Sequence, residues 1–234
     1  MALFGGLKKN STDSSETVPA AAAATAVAEE SNLQEEYRCF KERVHLGAAR
    51  MKPHYIGNVL SALFYLCDVD SERAQDAILA LSGYLRQNVE CINRDELLSF
   101  SWELEHMQHY IDLEQLRFED RIQVFYDLDI EDFDLPSLTL QPLVENAVKH
   151  GLAPRNGEGN ITLQTRRLVD GSVQLKLIDN GVGFDTAKLA EAAQLPHSLE
   201  CIRLRLEREL EGTMHVESIP GAGTTVTIQF KPPQ

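Results

Sequence analysis

Apolar residues recur at helical spacing through the first part of the chain. From Glu35 to Cys67 their spacing predicts one long helix, with apolar positions at Tyr37, Phe40, Val44, Met51, Val59, Leu63 and Leu66. Asp68-Val-Asp-Ser71 predicts a turn and an N-cap. A second amphipathic helix follows, marked by Ala74, Ala77, Ile78, Leu81, Leu85 and Val89. The two segments predict a helical hairpin.

A hairpin with one apolar stripe on each helix cannot bury both stripes by itself. Pairing two hairpins across a two-fold axis gives a four-helix bundle. We therefore expect a homodimer, and a monomeric mass in solution at micromolar concentration would count against it.

The pattern changes after a third predicted helix, Ser101 to Phe118, which we expect to connect two parts of the chain. Short runs with strand character then alternate with two helical segments. The strands are predicted at 122–128, 160–165, 172–178, 213–217 and 224–230, and the helices at 138–151 and 198–210. Helices segregated from a mostly antiparallel sheet predict an α+β fold, in which the helical hairpin precedes an α/β sandwich.

These elements divide the chain into three predicted regions. Residues 10–33 are mainly Ser, Thr, Ala and Glu, so 1–34 is predicted to be a disordered lead. Residues 35–98 form the predicted helical dimerisation region. Residues 99–234 comprise the connecting helix and the sandwich domain.

Composition narrows the possible partners. The 234 residues carry a formal net charge of −14, which argues against nucleic acid or an anionic membrane and favours a basic protein partner. The four cysteines are widely scattered, as is typical of reduced thiols in a cytosolic protein. No apolar run approaches the roughly 20 residues of a membrane span. The expected location is the cytoplasm, with any membrane association left to a partner protein or a missing segment.

Asp179 is the most informative polar residue because it ends an apolar strand and precedes Asn-Gly-Val-Gly-Phe. Its carboxylate can accept a hydrogen bond from the exocyclic amine of adenine, and Gly181 and Gly183 let the backbone approach the base. The alternative is a simple strand-end turn. The other motifs in the chain favour the nucleotide interpretation.

Asn146 and Lys149 lie three residues apart on one predicted helix, so both can face one ligand. The amide oxygen of Asn146 suits Mg²⁺, the ammonium of Lys149 can offset phosphate charge, and His150 can add a hydrogen bond. The alternative is the solvated end of an amphipathic helix.

Two further motifs gain meaning from their order in the chain. One is the segment Gly221-Ala-Gly-Thr-Thr225, which includes Gly223 and Thr224 and supplies flexible backbone before the last strand. Alone, it indicates only a hairpin turn. Pro53-His54 lies in a helical pattern upstream of the candidate nucleotide site. Alone, this pair would indicate a proline-kinked helix with an exposed histidine.

Together these motifs resemble a known family. Asn146, Asp179-x-Gly-x-Gly183 and Gly221-x-Gly-Thr-Thr225 are similar to the N box and glycine boxes of the gyrase, Hsp90-like, histidine kinase and MutL ATP-binding fold. Within that group the chain resembles sensor histidine kinases of the LytS type. Pro53-His54-Tyr-Ile-Gly-Asn58 is similar to their Pro-His-Phe-Leu-Phe-Asn motif. The likeness also covers Leu140–Gly151 and Tyr110–Phe118.

The resemblance implies a two-component histidine kinase. His54 would be the phosphoacceptor, ATP and Mg²⁺ the cofactors, and the Asp of a response regulator the final acceptor. ATP hydrolases of this fold carry a carboxylate four residues before the metal-binding Asn, where this chain has Pro142. Glu145, adjacent to Asn146, should point elsewhere. We therefore expect transfer to histidine rather than efficient hydrolysis.

The second glycine box of related kinases, Gly-x-Gly-Leu-x-Asn, departs most from the family pattern. The matching stretch here is Pro196-His-Ser-Leu-Glu-Cys201, in which Ser198 can cap the next helix and contribute to ATP binding. Arg203 or Arg205 can reach phosphate. Near the acceptor, Lys52, Gly57 and Ser61 also depart from the family residues. An active kinase is therefore one interpretation, and a pseudokinase or dimeric scaffold with nucleotide-modulated partner binding is the alternative.

Overall fold

A computed structural model describes residues 53–92, 96–118, 121–155, 157–185 and 197–232. Helix α1 spans Pro53–Val69 and helix α2 spans Ser71–Ile92. Asp70 lies between them, and its side-chain oxygen accepts the Arg73 backbone N–H at 3.1 Å. The predicted turn and N-cap are therefore confirmed, and α1 and α2 form the predicted hairpin. The part of the predicted first helix before residue 53 lies outside the described residues.

Helix α3, Phe100–Arg117, packs against both helices of the hairpin. Gly83 of α2 faces the ring of His109, and any side chain at this position would overlap that ring. Gln87 Oε1 accepts a hydrogen bond from His109 Nδ1 at 2.9 Å, and Gln87 Nε2 donates to Glu105 at 3.2 Å. The third predicted helix is thus confirmed, and it joins the hairpin to the rest of the core.

Two strands of three residues each were not predicted from the sequence. Strand β1, Leu97–Ser99, pairs antiparallel with β3, Asp134–Pro136. Ser99 also caps α3, because its hydroxyl accepts the Trp102 N–H at 3.3 Å. This small sheet sets the point at which α3 begins.

Among the described residues, the main sheet has five strands: β2, Ile122–Leu128; β4, Gly159–Arg167; β5, Val173–Asp179; β6, Thr213–Ile219; and β7, Gly223–Phe230. Their order across the sheet is β2-β4-β5-β7-β6. Only β2 and β4 run parallel, and the other neighbours are antiparallel. The five predicted strands and the mostly antiparallel sheet are confirmed.

One face of this sheet is covered by helices. On β5 the buried positions alternate through Val173, Leu175, Leu177 and Asp179, so Asp179 is the last side chain of the inward-facing row. Helix α4, Leu140–Asn146, and helix α5, His197–Leu210, lie on this side of the fold. The α+β class, with a helical hairpin before an α/β sandwich, is confirmed.

The helix predicted at 138–151 is more complex than the pattern suggested. After α4 the backbone continues as a π-helical turn, Ala147–Leu152, which packs against β4, β5 and β7. Leu138, at the start of the predicted segment, has a left-handed backbone with φ of 59° and lies before the helix. The helix is therefore shorter than predicted, and a wider turn carries Lys149 and His150.

Several sequence predictions are not tested by the fold. The lead at 1–34 lies outside the described residues, and the boundaries at 35–98 and 99–234 stay predictions. Cys67, Cys91 and Cys201 are thiols rather than disulfides. In the part of the chain that the structure describes, no helix is both long and apolar enough to cross a membrane.

Candidate nucleotide site

A cleft of about 650 Å³ opens between the sheet and the two helices α4 and α5. This volume lies within the range of small-molecule binding pockets. Apolar side chains make most of its wall, and they come from α4, the π-helical turn, β5, β7 and α5: Leu143, Ala147, Leu177, Val226 and Leu199. The cleft therefore offers flat apolar surface with a few polar groups, as a nucleotide base requires.

Asp179 is the buried acid of this cleft. Its side chain lies at the end of β5, is only 5% exposed and lines the cavity. Oδ1 accepts the backbone N–H of Gly181 at 2.8 Å. Burial raises the pKa of the Asp179 carboxyl above its ordinary value, while hydrogen bonds from Gly181 and Thr224 act in the opposite direction. The carboxyl is thus oriented by its neighbours and enclosed in the cleft.

Glycines make room for that carboxyl. A methyl group on Gly151 would lie 2.8 Å from Asp179 Oδ1, and one on Gly181 would overlap the backbone of Gly151. The backbones are also tied, because Val182 N–H donates to Gly151 O at 2.9 Å. Gly151 is not among the site residues predicted from the sequence. Its close approach to Asp179 depends on the pairing of the π-helical turn with the loop after β5, which no local motif encodes.

Gly183 and Gly223 serve the same end of the cleft from the other side. Gly183 has φ of 58° and Gly223 has φ of 106°, conformations that side chains disfavour. A methyl group on Gly223 would overlap the carbonyl oxygen of Asp179, and one on Gly183 would overlap that of Ile219. Gly221 also has a positive φ of 82°, but the space around it is open. Its N–H donates to Val182 O at 2.7 Å.

The two threonines of this motif lie on opposite faces of β7. Thr224 pairs in register with Asp179 and lines the cleft. Thr225 alternates to the other face and is not among the residues that line the cleft. Of the residues predicted to bind ATP, the structure brings Asn146, His150, Asp179, Gly183, Ser198 and Thr224 together around one cavity.

Asn146 is the last residue of α4 and lies across the cleft from the sheet. Its amide nitrogen donates to Ser198 Oγ at 3.3 Å, so the side chain bridges α4 and α5. This bond orients the amide nitrogen toward α5, and the carbonyl oxygen is the atom suited to a hard cation such as Mg²⁺. The donor set fits a metal bound together with phosphate oxygens.

Lys149 and Glu145 are paired with each other. Lys149 Nζ lies 2.5 Å from Glu145 Oε2, and the Lys149 side chain is 47% exposed. Glu145 also accepts from Gln141 Nε2 at 3.2 Å. Neither residue lines the cleft, whereas the neighbouring His150 does. As predicted, the neighbouring side chains differ in direction: Asn146 lines the cleft and Glu145 does not.

His54 lies in the first turn of α1 and is exposed. Asn58 Nδ2 lies 3.4 Å from His54 Nδ1, one helical turn away. His54 is not among the residues that line the cleft. The acceptor candidate and the nucleotide candidate therefore occupy separate parts of the described structure.

The two arginines suggested as phosphate ligands are engaged elsewhere. Arg203 forms ion pairs with Glu200 and with Glu207 on its own helix. Arg205 is only 6% exposed and donates to the carbonyl oxygen of Ser137. Arg205 does not line the cleft, because its guanidinium is buried against Ser137, so the expectation that it reaches phosphate is not met in this structure.

Known families match most of the chain. Residues 43–122 match the family described as histidine kinase, and residues 131–234 match the histidine kinase-, DNA gyrase B- and HSP90-like ATPase family. Among solved structures, the histidine kinase domain of the Erythrobacter litoralis EL346 blue-light activated histidine kinase aligns with a TM-score of 0.46 and 14% identity, over 76% of this chain and 95% of that chain.

Curated relatives include sensor kinases. The YwpD protein of Bacillus subtilis is 33% identical over 77% of this chain and 66% of its own length. Sensor protein LytS of Oceanobacillus iheyensis is 35% identical over 63% of this chain, and sensor histidine kinase YpdA of Escherichia coli is 35% identical over 69%. The chain matches only 25% of that LytS and 29% of YpdA. With both family models matched in sequence order, the chain belongs to the histidine kinases and is of the LytS type.

Proposed function

We propose that this chain is an ATP-dependent protein-histidine kinase of a two-component pathway. In this proposal the cleft binds Mg-ATP, His54 accepts the γ-phosphoryl group, and the Asp of a response regulator receives it. One observation carries the proposal: a buried carboxylate, Asp179, lies in an apolar cleft that also contains the amide of Asn146.

The purine is assigned to the end of the cleft that contains Asp179. An ionised carboxylate is an acceptor only, so it suits the exocyclic amine of adenine and disfavours the carbonyl oxygen that guanine has at the same position. The apolar walls Leu143, Leu177 and Val226 can cover the faces of the base. Hydrogen bonding to a buried charged group supplies specificity because the wrong base leaves that charge unpaired.

The triphosphate is assigned to the end with Asn146, His150 and Ser198. Asn146 would be the magnesium ligand, and Mg²⁺ would neutralise phosphate charge when bound. Lys149 can join this group by leaving Glu145. Lys149 is the half-exposed partner of this i,i+4 pair and Glu145 is the buried one, so a phosphate must compete with a buried carboxylate for the ammonium.

The transfer step is the attack of a neutral imidazole nitrogen of His54 on the γ-phosphorus. A phosphorus–nitrogen bond forms, the bond to the bridging oxygen breaks, ADP leaves with that electron pair, and the imidazole loses its proton to solvent. The step requires a ring nitrogen with a free lone pair, and imidazole is a nucleophile of this kind. Exposure of His54 and the nearby Asn58 amide are consistent with an accessible and oriented nucleophile.

A homodimer is part of the proposal. Val59 and Leu63 of α1 are buried in the core, whereas Leu60, Phe64 and Tyr65 on its outer face are 52%, 76% and 66% exposed. Leu79 of α2 is 69% exposed. Apolar surface of this kind supports association of two hairpins into a four-helix bundle. A cytoplasmic location and the response regulator rest on the family alone.

A dimeric scaffold with weak nucleotide control is the second candidate. It is favoured by the sequence at the start of α5, where Pro196 and Ser198 stand at the two glycine positions of the family pattern. Both nearby arginines are also engaged away from the cleft. In this alternative the cleft binds nucleotide, but phosphoryl transfer to His54 does not follow.

Incubation with γ-labelled ATP and Mg²⁺ separates the two candidates. We expect acid-labile, base-stable label on the wild-type protein, no label on His54→Gln, and normal label on His215→Gln, which changes an exposed histidine on β6. Label that persists in His54→Gln would refute the acceptor assignment. Nucleotide binding without any label would support the scaffold.

The same preparation tests the expectation of transfer without efficient hydrolysis. Steady-state phosphate release should be slow, and Glu145→Gln should leave that slow rate unchanged because Glu145 does not line the cleft. Rapid turnover that Glu145→Gln abolishes would contradict this expectation.

A further inference from the structure

A fully buried carboxylate, Glu103, lies outside the cleft at the start of the helix that carries Asn146. It belongs to α3 and is 0% exposed. Oε1 accepts the backbone N–H of Leu138 at 2.7 Å, and Oε2 accepts those of Thr139 and Leu140 at 2.9 and 2.8 Å. One side chain thus satisfies three backbone donors at the N-terminus of α4, from a residue more than thirty positions earlier.

The local sequence does not provide this cap. Thr139 occupies the N-cap position of α4 but makes no capping hydrogen bond to the helix. Its hydroxyl instead donates to Pro136 O at 2.5 Å. The first N–H groups of a helix need acceptors, and an anion is favoured there by the helix dipole. Glu103 supplies both the acceptors and the negative charge.

The backbone is bent to reach Glu103. Leu138 is buried and has φ of 59°, a left-handed conformation that is strained for a residue with a Cβ. This conformation persists where surrounding contacts determine it. The three short bonds to Glu103 are such contacts, because they fix the N–H directions of residues 138–140.

Helix α5 is also bonded to the segment that precedes α4. Arg205 donates to Ser137 O and to Ser137 Oγ, the latter at 3.3 Å. Burial raises the pKa of Glu103, and the three backbone N–H groups and the Arg205 charge oppose that shift. These three residues, Glu103, Ser137 and Arg205, form a joint that connects three elements: α3, the start of α4, and α5.

This joint connects an element that packs on the hairpin with elements that line the cleft. Helix α3 packs on α1 and α2, whereas α4 and α5 supply Asn146 and Ser198 to the cavity. Because α4 has only seven residues, fixing its first turn also fixes the position of Asn146 at its other end.

We infer that Glu103 is a positioning residue for the metal and phosphate end of the nucleotide site, holding Asn146 in place from the connecting helix. This inference rests on the proposed function. It adds a connection from the hairpin to the metal-binding end of the cleft through Glu103, while the adenine end depends on β5 and β7.

The test compares two ligands, Mg-AMPPNP and magnesium-free adenosine, in wild type, Glu103→Gln and Glu105→Gln. Glu105 lies two residues away on the exposed side of α3, so its variant controls for loss of charge. We expect Glu103→Gln to weaken Mg-AMPPNP by about tenfold or more, as for residues that orient metal ligands. Adenosine affinity should change by less than about twofold, within the error of independent sites.

Several outcomes would overturn the inference. Unchanged affinity for both ligands would show that Glu103 does not act on the site, and equal weakening of both would show a general structural role. If the wild-type protein binds neither ligand, the proposed function itself is wrong. That result requires no variant, so it is distinguishable from a failure of the inference.

A second measurement covers the case in which Glu103→Gln does not fold. Hydrogen exchange of the amides of residues 138–140 in wild-type protein should slow when Mg-AMPPNP binds and remain unchanged with adenosine. Equal exchange with the two ligands would overturn the inference without any variant. Glu103→Asp, which keeps the charge on a shorter side chain, should recover part of the Mg-AMPPNP affinity.

Discussion

The two ends of the cleft are built differently. The purine end, defined by Gly151, Asp179, Gly181 and Gly223, is made of backbone segments in direct contact. The phosphate end, defined by Asn146, Lys149, His150 and Ser198, is made of side chains that bond to one another or face solvent. Under the proposed function, this contrast means that the base site is preformed, whereas phosphate binding requires side chains to exchange partners.

The largest effect should come from breaking the purine end. Gly223→Ala adds a methyl group that overlaps Asp179 O at a residue with φ of 106°. We expect a loss of roughly 3 kcal/mol in the free energy of unfolding, since positive φ alone costs about 1–3 kcal/mol. For a chain of this size, 1 kcal/mol lowers Tm by about 2–4 °C, so thermal denaturation can measure it.

Gly221→Ala is the matched control, because Gly221 also has a positive φ but has open space around it. Its loss should therefore be smaller. Equal losses for the two variants would mean that backbone contact at the purine end contributes nothing beyond the strain of a positive φ.

Asp179→Asn should have the next largest effect, on binding rather than on folding. It replaces a carboxylate acceptor with an amide of nearly the same shape. A hydrogen bond to a charged group contributes about 1.5–3 kcal/mol, so ATP should bind about ten- to a hundredfold more weakly. Calorimetry measures this, and unchanged ATP affinity would remove Asp179 from base recognition.

Lowering the pH should weaken adenine binding by the wild-type protein, as the Asp179→Asn substitution does. Because burial raises the pKa of Asp179 above 3.8, the carboxyl becomes protonated at a higher pH than an ordinary aspartate. Adenine binding favours the ionised form, so affinity is fully present above that raised pKa and is lost as pH falls through it. The pH dependence of adenosine affinity should disappear in Asp179→Asn, and an identical profile in the variant would contradict the assignment.

The smallest effect should come from the phosphate end. Lys149→Gln replaces the ammonium partner of the buried Glu145 with an amide that can still donate a hydrogen bond, so the free energy of unfolding should fall by roughly 1 kcal/mol. ATP affinity should fall by a few fold while adenosine affinity stays the same. Equal losses for ATP and adenosine would indicate that Lys149 acts on the purine end.

The long periodic elements could be predicted from the sequence because each follows a simple pattern. The helices α2 and α3 and the strands β2, β4, β5, β6 and β7 are where the apolar spacing predicted them. Strands β1 and β3 were missed because three residues are too few to show alternation. The π-helical turn after Asn146 was missed because its period differs from the 3.6 residues on which the prediction relied.

The candidate site was predictable where local motifs encode it. Asp179 and Gly183 stand in one short segment, Asn146 lies on one predicted helix, and Ser198 begins another. Contacts between distant segments were not predictable, which is why Gly151 and Glu103 were overlooked. The Lys149–Glu145 pair could have been foreseen, since residues four apart on a helix are neighbours.

Calorimetry with Mg-AMPPNP and Mg-GMPPNP tests the central claim most directly, because it asks whether this cleft binds an adenine nucleotide. We expect saturable binding of the adenine nucleotide, at least about tenfold tighter than the guanine nucleotide, because guanine leaves the Asp179 carboxylate without its hydrogen-bond donor. No binding of Mg-AMPPNP at millimolar concentration, or equal binding of the two nucleotides, would contradict the account.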